Sequence, residues 1–208
     1  MVDLAVAFLL MAVLLYRPGR YTPVEVVRGK EKCPYLTNKL WPGLHNGKEL
    51  GEPFELSVTQ EGINQIVAYS DWPKASDGAS FSAPAVLFVP GRIVLMGTVL
   101  MKGLEIVVTI ELTAGFDESG LLNLRVAKLK VGAMNVTLLA RVIAKKMYQQ
   151  RIATEPIDEE DWRARILASL LNDEPFEPVF EFEGEKLRIE GASIKKEELT
   201  LRLVPVTN

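Results

Sequence analysis

The sequence predicts an α+β protein: an N-terminal membrane helix followed by a curved antiparallel sheet packed with two to three amphipathic helices. Three observations carry this reading. Leu4 to Tyr16 is an unbroken apolar run of thirteen residues. Residues 85–131 hold four consecutive strand patterns whose separators are short enough for hairpins. Residues 136–151 and the stretch after Asp158 switch to a helical period, so helices and strands are segregated rather than alternating. The chain then divides into a membrane anchor (1–16), a juxtamembrane linker (17–53) and an α+β domain (54–208).

Composition narrows the chemistry. Of 208 residues, 48% are hydrophobic and 25% charged, which suits a protein with a real core and excludes a wholly disordered chain. The single cysteine, Cys33, rules out an intramolecular disulfide framework. With His45 the only histidine, Cys and His cannot supply the four ligands of a structural zinc site. A formal net charge of −3 gives no pull toward nucleic acid. No cofactor and no metal is expected.

The apolar run would make a helix about 20 Å long, short of the roughly 30 Å bilayer core. It reads as a membrane anchor whose first residues are missing from this version of the chain, as a signal-peptide core, or as a buried helix. The anchor is favoured because no basic flank precedes the run and no small-x-small cleavage site follows it. Arg17, Arg20, Arg28, Lys30 and Lys32 come next. The positive-inside rule alone would put the domain in the cytoplasm, but it compares two flanks, and the orientation stays open.

Residues 17–53 carry five prolines and five glycines, which argues against a long helix or strand. Trp41 and Leu44 could pack part of this linker on the domain. Phe54–Thr59 alternates as a short strand, and Thr59 can cap a helix from Gln60 to about Ser70 with Ile63, Ile66 and Val67 on its buried face. Residues 71–82 read as a loop. The strands Ala85–Val89, Arg92–Met101, Leu104–Thr113 and Leu121–Val131 form an antiparallel meander. In the third, Leu104, Ile106, Val108, Ile110 and Leu112 make the buried face. The second is apolar on both faces. The fourth changes parity, which a β-bulge near Ala127 would correct. A helix from Val136 to about Arg151 places Leu138, Leu139, Val142, Ile143 and Met147 on one face, with Arg141, Lys145 and Lys146 outside it. Asp158 caps a further helix, and Glu177–Phe182, Lys186–Glu190 and Leu199–Val204 close the chain as strands, separated by turns at Glu183–Glu185 and Ala192–Glu197.

Little in this pattern carries catalysis. Glu105 and Glu111 share a strand face but lie roughly 20 Å apart, too far for a glycosidase pair. The tract Asp158–Asp161 is explained by its helix start. His45 has no carboxylate beside it in sequence, and no phosphate-loop motif occurs. An unrecognised hydrolase would need convergent titratable groups that the spacing does not supply. The stronger signal is surplus apolar surface. A curved sheet and two amphipathic helices can enclose a groove lined by Val94, Met96, Leu100, Met101, Met134, Leu139, Ile143 and Met147, since methionine adapts to variable apolar ligands. Arg141, Lys145 and Lys146 could meet anionic headgroups.

The order of elements resembles a known group. A helix of the type SVTQEGINQIV precedes the meander GLEIVVTIELTAGFDESGLLNLRVAKLKVGAMNV, an amphipathic helix and a terminal EKLRIEGASIKKEELTLRL. Together with the N-terminal apolar segment this is similar to the YpmS-like bacterial membrane-anchored domains. It is more distantly similar to LmeA-like phospholipid-binding proteins, whose fold is related to the tubular lipid-binding (TULIP) domains. The most characteristic piece runs from Asp117 to Val126. The resemblance covers roughly residues 54–204 and brings no catalytic residues. It implies an extracytoplasmic, membrane-tethered domain that binds lipid or another apolar ligand. The expectation is therefore a noncatalytic, membrane-tethered domain of the bacterial cell envelope, with the ligand in a groove beside the sheet. The alternative is an envelope scaffold that docks a partner protein and has no ligand cavity.

Overall fold

A computed structural model describes residues 2–29, 32–76, 78–154 and 162–206. The fold is α+β, as expected, but the strands form two antiparallel sheets rather than one curved sheet. After helix α1 (Val2–Leu14), a π-helical turn (Leu36–Leu40) runs into α2 (Trp41–Glu49). Then come β1 (Phe54–Thr59), α3 (Gln60–Ala68), the short strands β2 (Lys74–Ser76) and β3 (Ala79–Phe81), and β4 (Ala85–Val89). The meander continues as β5 (Arg92–Met101), β6 (Leu104–Phe116), β7 (Leu122–Val131) and β8 (Met134–Asn135). Helices α4 (Thr137–Thr154) and α5 (Trp162–Asn172) precede β9 (Val179–Phe182), β10 (Glu185–Lys195) and β11 (Glu198–Val206). The large sheet has the order β2-β3-β5-β6-β7-β8, with β4 also paired to β5, and the small sheet has the order β1-β11-β10-β9.

Local chemistry explains the elements that the sequence signalled. The Thr59 hydroxyl accepts the Gly62 N–H at 3.1 Å and caps α3. Between β6 and β7 the register slips so that Glu111 faces Lys128 and Leu112 faces Val126, leaving Ala127 as the extra residue of a bulge. The Asp117 carboxylate accepts the N–H groups of Ser119 and Leu121 at 2.9 Å each, which closes the turn before β7.

Other expectations are corrected. The stretch 17–53 packs on the domain through Trp41 and Leu44, as expected, and goes further: Tyr21, Cys33 and Lys48 are buried in it, and it holds two helical segments. Pro42 does not interrupt α2 because it falls in the first turn, where its missing N–H has no intrahelical role. In β6 the deepest burial is on Val107 and Thr109, the face opposite the one expected. Tyr21 and Val24 pack over that face with Ala85, Val94 and Met96, so the N-terminal stretch provides its cover. Strand β10 runs to Lys195, through the segment expected as a turn, and a register shift between Ile189 and Gly191 absorbs the irregularity. The loop expected at 71–82 contains the β2–β3 pair. The tract Asp158–Asp161, with the expected cap of the second late helix, lies outside the described residues, as does Lys30.

Two cores result. One gathers Tyr21, Ala85, Val94, Met96 and Val107 on the large sheet. The other gathers Leu56, Val58 and Leu203 with Leu44, Ile63 and Phe180 on the small sheet. Helix α3 joins them. Its Gln60 and Asn64 stand one turn apart and face the free edge of β4. The Asn64 amide accepts the Val86 N–H (2.8 Å) and donates to the Val86 carbonyl (2.7 Å), while the Gln60 side-chain carbonyl accepts the Phe88 N–H (2.8 Å). The Phe88 carbonyl takes the Glu197 N–H at 3.0 Å, and the Glu197 carbonyl takes the Gln60 N–H at 2.9 Å. A helix thus supplies, through side-chain amides, the partners another strand would have given. One residue further, the Gln65 side-chain carbonyl accepts the Tyr35 N–H at 2.8 Å. The Tyr35 ring lies so close over Gly62 that a Cβ there would come within 2.1 Å of it.

Replacing Asn64 by alanine would leave the Val86 amide without its partners. The expected loss is about 2–4 kcal/mol of unfolding free energy by urea titration, against less than about 0.5 kcal/mol for Glu61→Ala on the exposed side of the same helix.

Candidate functional site

Helix α4 is built inside out. Its buried side is made by Thr137, Tyr148 and the half-buried Ala144, which recur at seven and four residues. Thr137 fixes the start: its hydroxyl accepts the Leu129 N–H at 2.8 Å and donates to Asn135 Oδ1 at 2.6 Å. Burial, with a contribution from Glu174, pushes the Tyr148 phenol up from its ordinary value. The apolar face expected to pack inward points outward instead. Leu138, Leu139, Val142 and Ile143 are 79%, 62%, 69% and 50% exposed. Lys145 and Lys146 follow on the exposed surface. The helix sequence contains four basic residues and no acidic one.

The reason for the inversion lies in β7. Its outer edge pairs with β8 only at Lys130 and Val131, so the groups from Leu122 to Leu129 need other partners. Phe176 exchanges hydrogen bonds with Leu122 (2.9 and 3.0 Å). The fully buried Ser169 of α5 accepts the Leu124 N–H (2.9 Å). The Arg141 guanidinium donates to the Val126 carbonyl (2.8 Å). To serve that edge, α4 must turn its Thr137–Arg141 side inward and its leucines outward.

Helix α1 ends on the turn between β7 and β8. The Ala133 N–H donates to the Val13 carbonyl at 2.8 Å, and the Gly132 N–H donates to the Val107 carbonyl at 2.7 Å. Gly132 has φ +58°, and a Cβ on it would sit 2.3 Å from the Leu14 carbonyl oxygen, so only glycine fits here. Along the rest of α1, Val6, Phe8, Leu9, Leu10 and Met11 are all exposed. No helix among the described residues is long and apolar enough to cross a membrane.

The expected ligand-binding residues separate into three groups. Val94 and Met96 are core residues beneath Tyr21, so they line no groove. Leu100 and Met101 are exposed near the β5–β6 turn, as is Leu104 across it. Leu139 and Ile143 are on the outward face of α4, and Met134 is half-buried on β8. The Met147 side chain lies outside the described residues. Register places the β5–β6 turn and the β7–β8 turn at the same end of the large sheet, because Val108 pairs with Val131 and Met101 with Leu104. Thus Leu100, Met101 and the turn that seats α1 lie toward the same end of the large sheet, and α4 starts beside that turn and runs back along β7 from Leu129 toward Val126. Of the expected headgroup contacts, Lys145 and Lys146 are exposed, whereas Arg141 spends a donor on Val126.

Two concavities accompany this surface. A cleft of about 770 Å³ between the 20–25 stretch, α3 and β4 is lined by Arg20, Glu25, Glu61, Asn64, Val86 and Glu197 among others. Pro23, Val24, Ala85 and Leu87 add apolar walls to it, so the cleft is mixed in character. A crevice of about 230 Å³ between α4 and α5 touches Arg141, Lys145, Leu170 and Asp173.

One further cluster is not foreshadowed by any local pattern. Glu183, at φ +51° in the β9–β10 turn, accepts hydrogen bonds from Trp41 Nε1 (3.0 Å) and Lys48 Nζ (3.3 Å) and lies 2.8 Å from His45 Nδ1. Lys48 also pairs with Glu185 at 3.6 Å, and the Trp41 ring packs edge-on against Phe182, with centroids 5.0 Å apart. The three donors stand at positions 41, 45 and 48, one helical face, and converge on a residue more than 130 positions away, which local pattern reading does not reach. The only histidine is thus bound into a clamp that holds α2 to the small sheet. The His45 hydrogen bond, aided by Trp41 and Lys48, holds the Glu183 carboxyl below its ordinary range. Burial works against the charge on Lys48, but Glu183, Glu185 and Glu49 outweigh it and raise its pKa. Cys33 is buried, its thiol 3.8 Å from the Gln65 carbonyl. Among the described residues no group of three metal-type ligands comes together. No known protein-family model matches the chain, and no curated protein matches it.

Two predictions follow from this geometry. The lowered Glu183 pKa means that the clamp's contribution is fully present above the ordinary carboxylate value of 4.5 and is lost as pH falls through the folded value. For Lys48 the contribution is fully present below 10.5 and is lost as pH rises through the raised value. Urea midpoints measured against pH should therefore fall on both limbs, and Glu183→Gln should flatten the acid limb. For the root of α1, Gly132→Ala should free the Ala133 amide, raising its hydrogen-exchange rate about tenfold or more while the α3–β4 amides keep theirs.

Proposed function

We propose that this is a noncatalytic, membrane-attached α+β domain that meets lipid through outward apolar side chains at one end of its large sheet. The observation that carries the reading is α1. It exposes Phe8, Leu9, Leu10 and Met11 to solvent while its Val13 carbonyl accepts the Ala133 N–H of the β7–β8 turn. Exposed apolar surface of this kind calls for a cover. At thirteen residues α1 reaches about 20 Å, enough to enter the interface and one leaflet of a roughly 30 Å core. Leu100, Met101 and Leu104 extend the surface at the same end of the sheet.

In this reading the lipid contact is a surface, and Val94 and Met96, buried with Tyr21, take no part in it. A noncatalytic role is supported by the commitment of His45 and Glu183 to holding α2. The resemblance to YpmS-like membrane-anchored domains supports a cell-envelope setting with the domain outside the cytoplasm. A second reading, a scaffold that docks a partner protein, draws on the same exposed patch and on the filled core.

Flotation of the purified chain with phosphatidylcholine vesicles separates the two. The chain should float, and the pair Phe8→Asp and Leu9→Asp should reduce the vesicle-bound fraction about tenfold or more, given the apolar burial each side chain contributes. A chain that stays in the vesicle-free fraction would leave only the scaffold reading.

A further inference from the structure

We infer that α4 is a second membrane contact, one that selects anionic lipid and sets how the domain lies on the surface; this rests on the membrane reading above. The first two turns of α4 point Leu138, Leu139, Val142 and Ile143 away from the protein. Such a face could be covered by lipid, by a partner or by a second copy, and charge decides among them. Lys145 and Lys146 follow directly, exposed, and the whole helix carries no acidic residue. An exposed apolar stripe followed by lysines on the next turn fits a helix that lies in the headgroup plane, with its lysine stems along the apolar surface and their ammonium groups at the phosphates. Asp173, which lines the crevice with Lys145, pairs with Arg125 at 3.5 Å. Arg141 is turned toward Val126 and takes no part.

Continuity with α1 supports the same occupant. Helix α4 begins four residues after Ala133, whose N–H holds the end of α1. A bilayer that receives α1 is therefore beside the first turns of α4. A short apolar helix alone gives marginal attachment, and a second, electrostatic signal makes it stable.

The test compares flotation of the full chain with pure phosphatidylcholine vesicles and with phosphatidylcholine–phosphatidylglycerol vesicles in roughly a 3:1 ratio. The expected result is tighter binding to the phosphatidylglycerol vesicles, with the excess lost at high salt. The pair Lys145→Gln and Lys146→Gln should remove about 10- to 30-fold of that affinity and leave phosphatidylcholine binding unchanged. Val142→Asp should weaken binding to both vesicles; all these positions are exposed, and circular dichroism checks that the fold is kept. Equal binding of the full chain to both vesicles would overturn the inference while leaving the membrane reading in place. Binding to neither would remove the membrane reading itself. A vesicle-free dimer that Val142→Asp dissociates, seen by analytical ultracentrifugation, would overturn the inference in favour of a second copy as the cover.

Discussion

The free backbone edge of a strand organises this molecule. A sheet that does not close leaves N–H and carbonyl groups that must find partners, and an unpaired buried group costs roughly as much as a good hydrogen bond gains. The large sheet has two such edges, on β4 and on β7, and neither is met by another full-length strand. At β4 the amides of Gln60 and Asn64 stand in, and at β7 the work is shared among Phe176, Ser169, Arg141 and Thr137. Each substitute partner fixes the rotation of the helix that carries it, so the positions of α3, α4 and α5 follow from the needs of two strands.

That requirement explains why the apolar pattern of α4 misleads. In most helices the hydrophobic stripe chooses the inward face. Here a threonine and an arginine choose it, because the partners they meet are backbone groups. The leucines are displaced to the outside, and their exposure is the strongest departure from an ordinary soluble surface in the domain.

Local signals were legible in the sequence where the cause was local. The Thr59 cap, the Phe54–Thr59 strand and the bulge at Ala127 each arise from a few neighbouring residues, and pattern reading finds them. What pattern reading missed depends on distant partners. Strand β1 pairs with β11 across most of the chain, which splits the expected single sheet in two. The deepest face of β6 was set by Tyr21, contributed from a stretch rich in proline and glycine that carries no strand or helix pattern of its own. Part of the candidate surface, Leu100, Met101, Leu139 and Ile143, was named from strand alternation and helical period. Its form, an outer face in place of a groove, could not be, since burial of Val94 and Met96 comes from the same distant tyrosine.

The seat of α1 has a mechanical meaning. Its Val13 carbonyl accepts the Ala133 N–H, and the neighbouring Gly132 N–H is bonded to Val107 in the large sheet. A pull on α1 is therefore delivered into the strands through the Ala133 hydrogen bond as well as along the chain through Arg17 and Pro18. Strands of one sheet share such a force among many bonds loaded together. A load on the first helix is thus met by two routes of unequal strength, the covalent chain and one hydrogen bond, so the seat acts as a latch that gives way before the strands do.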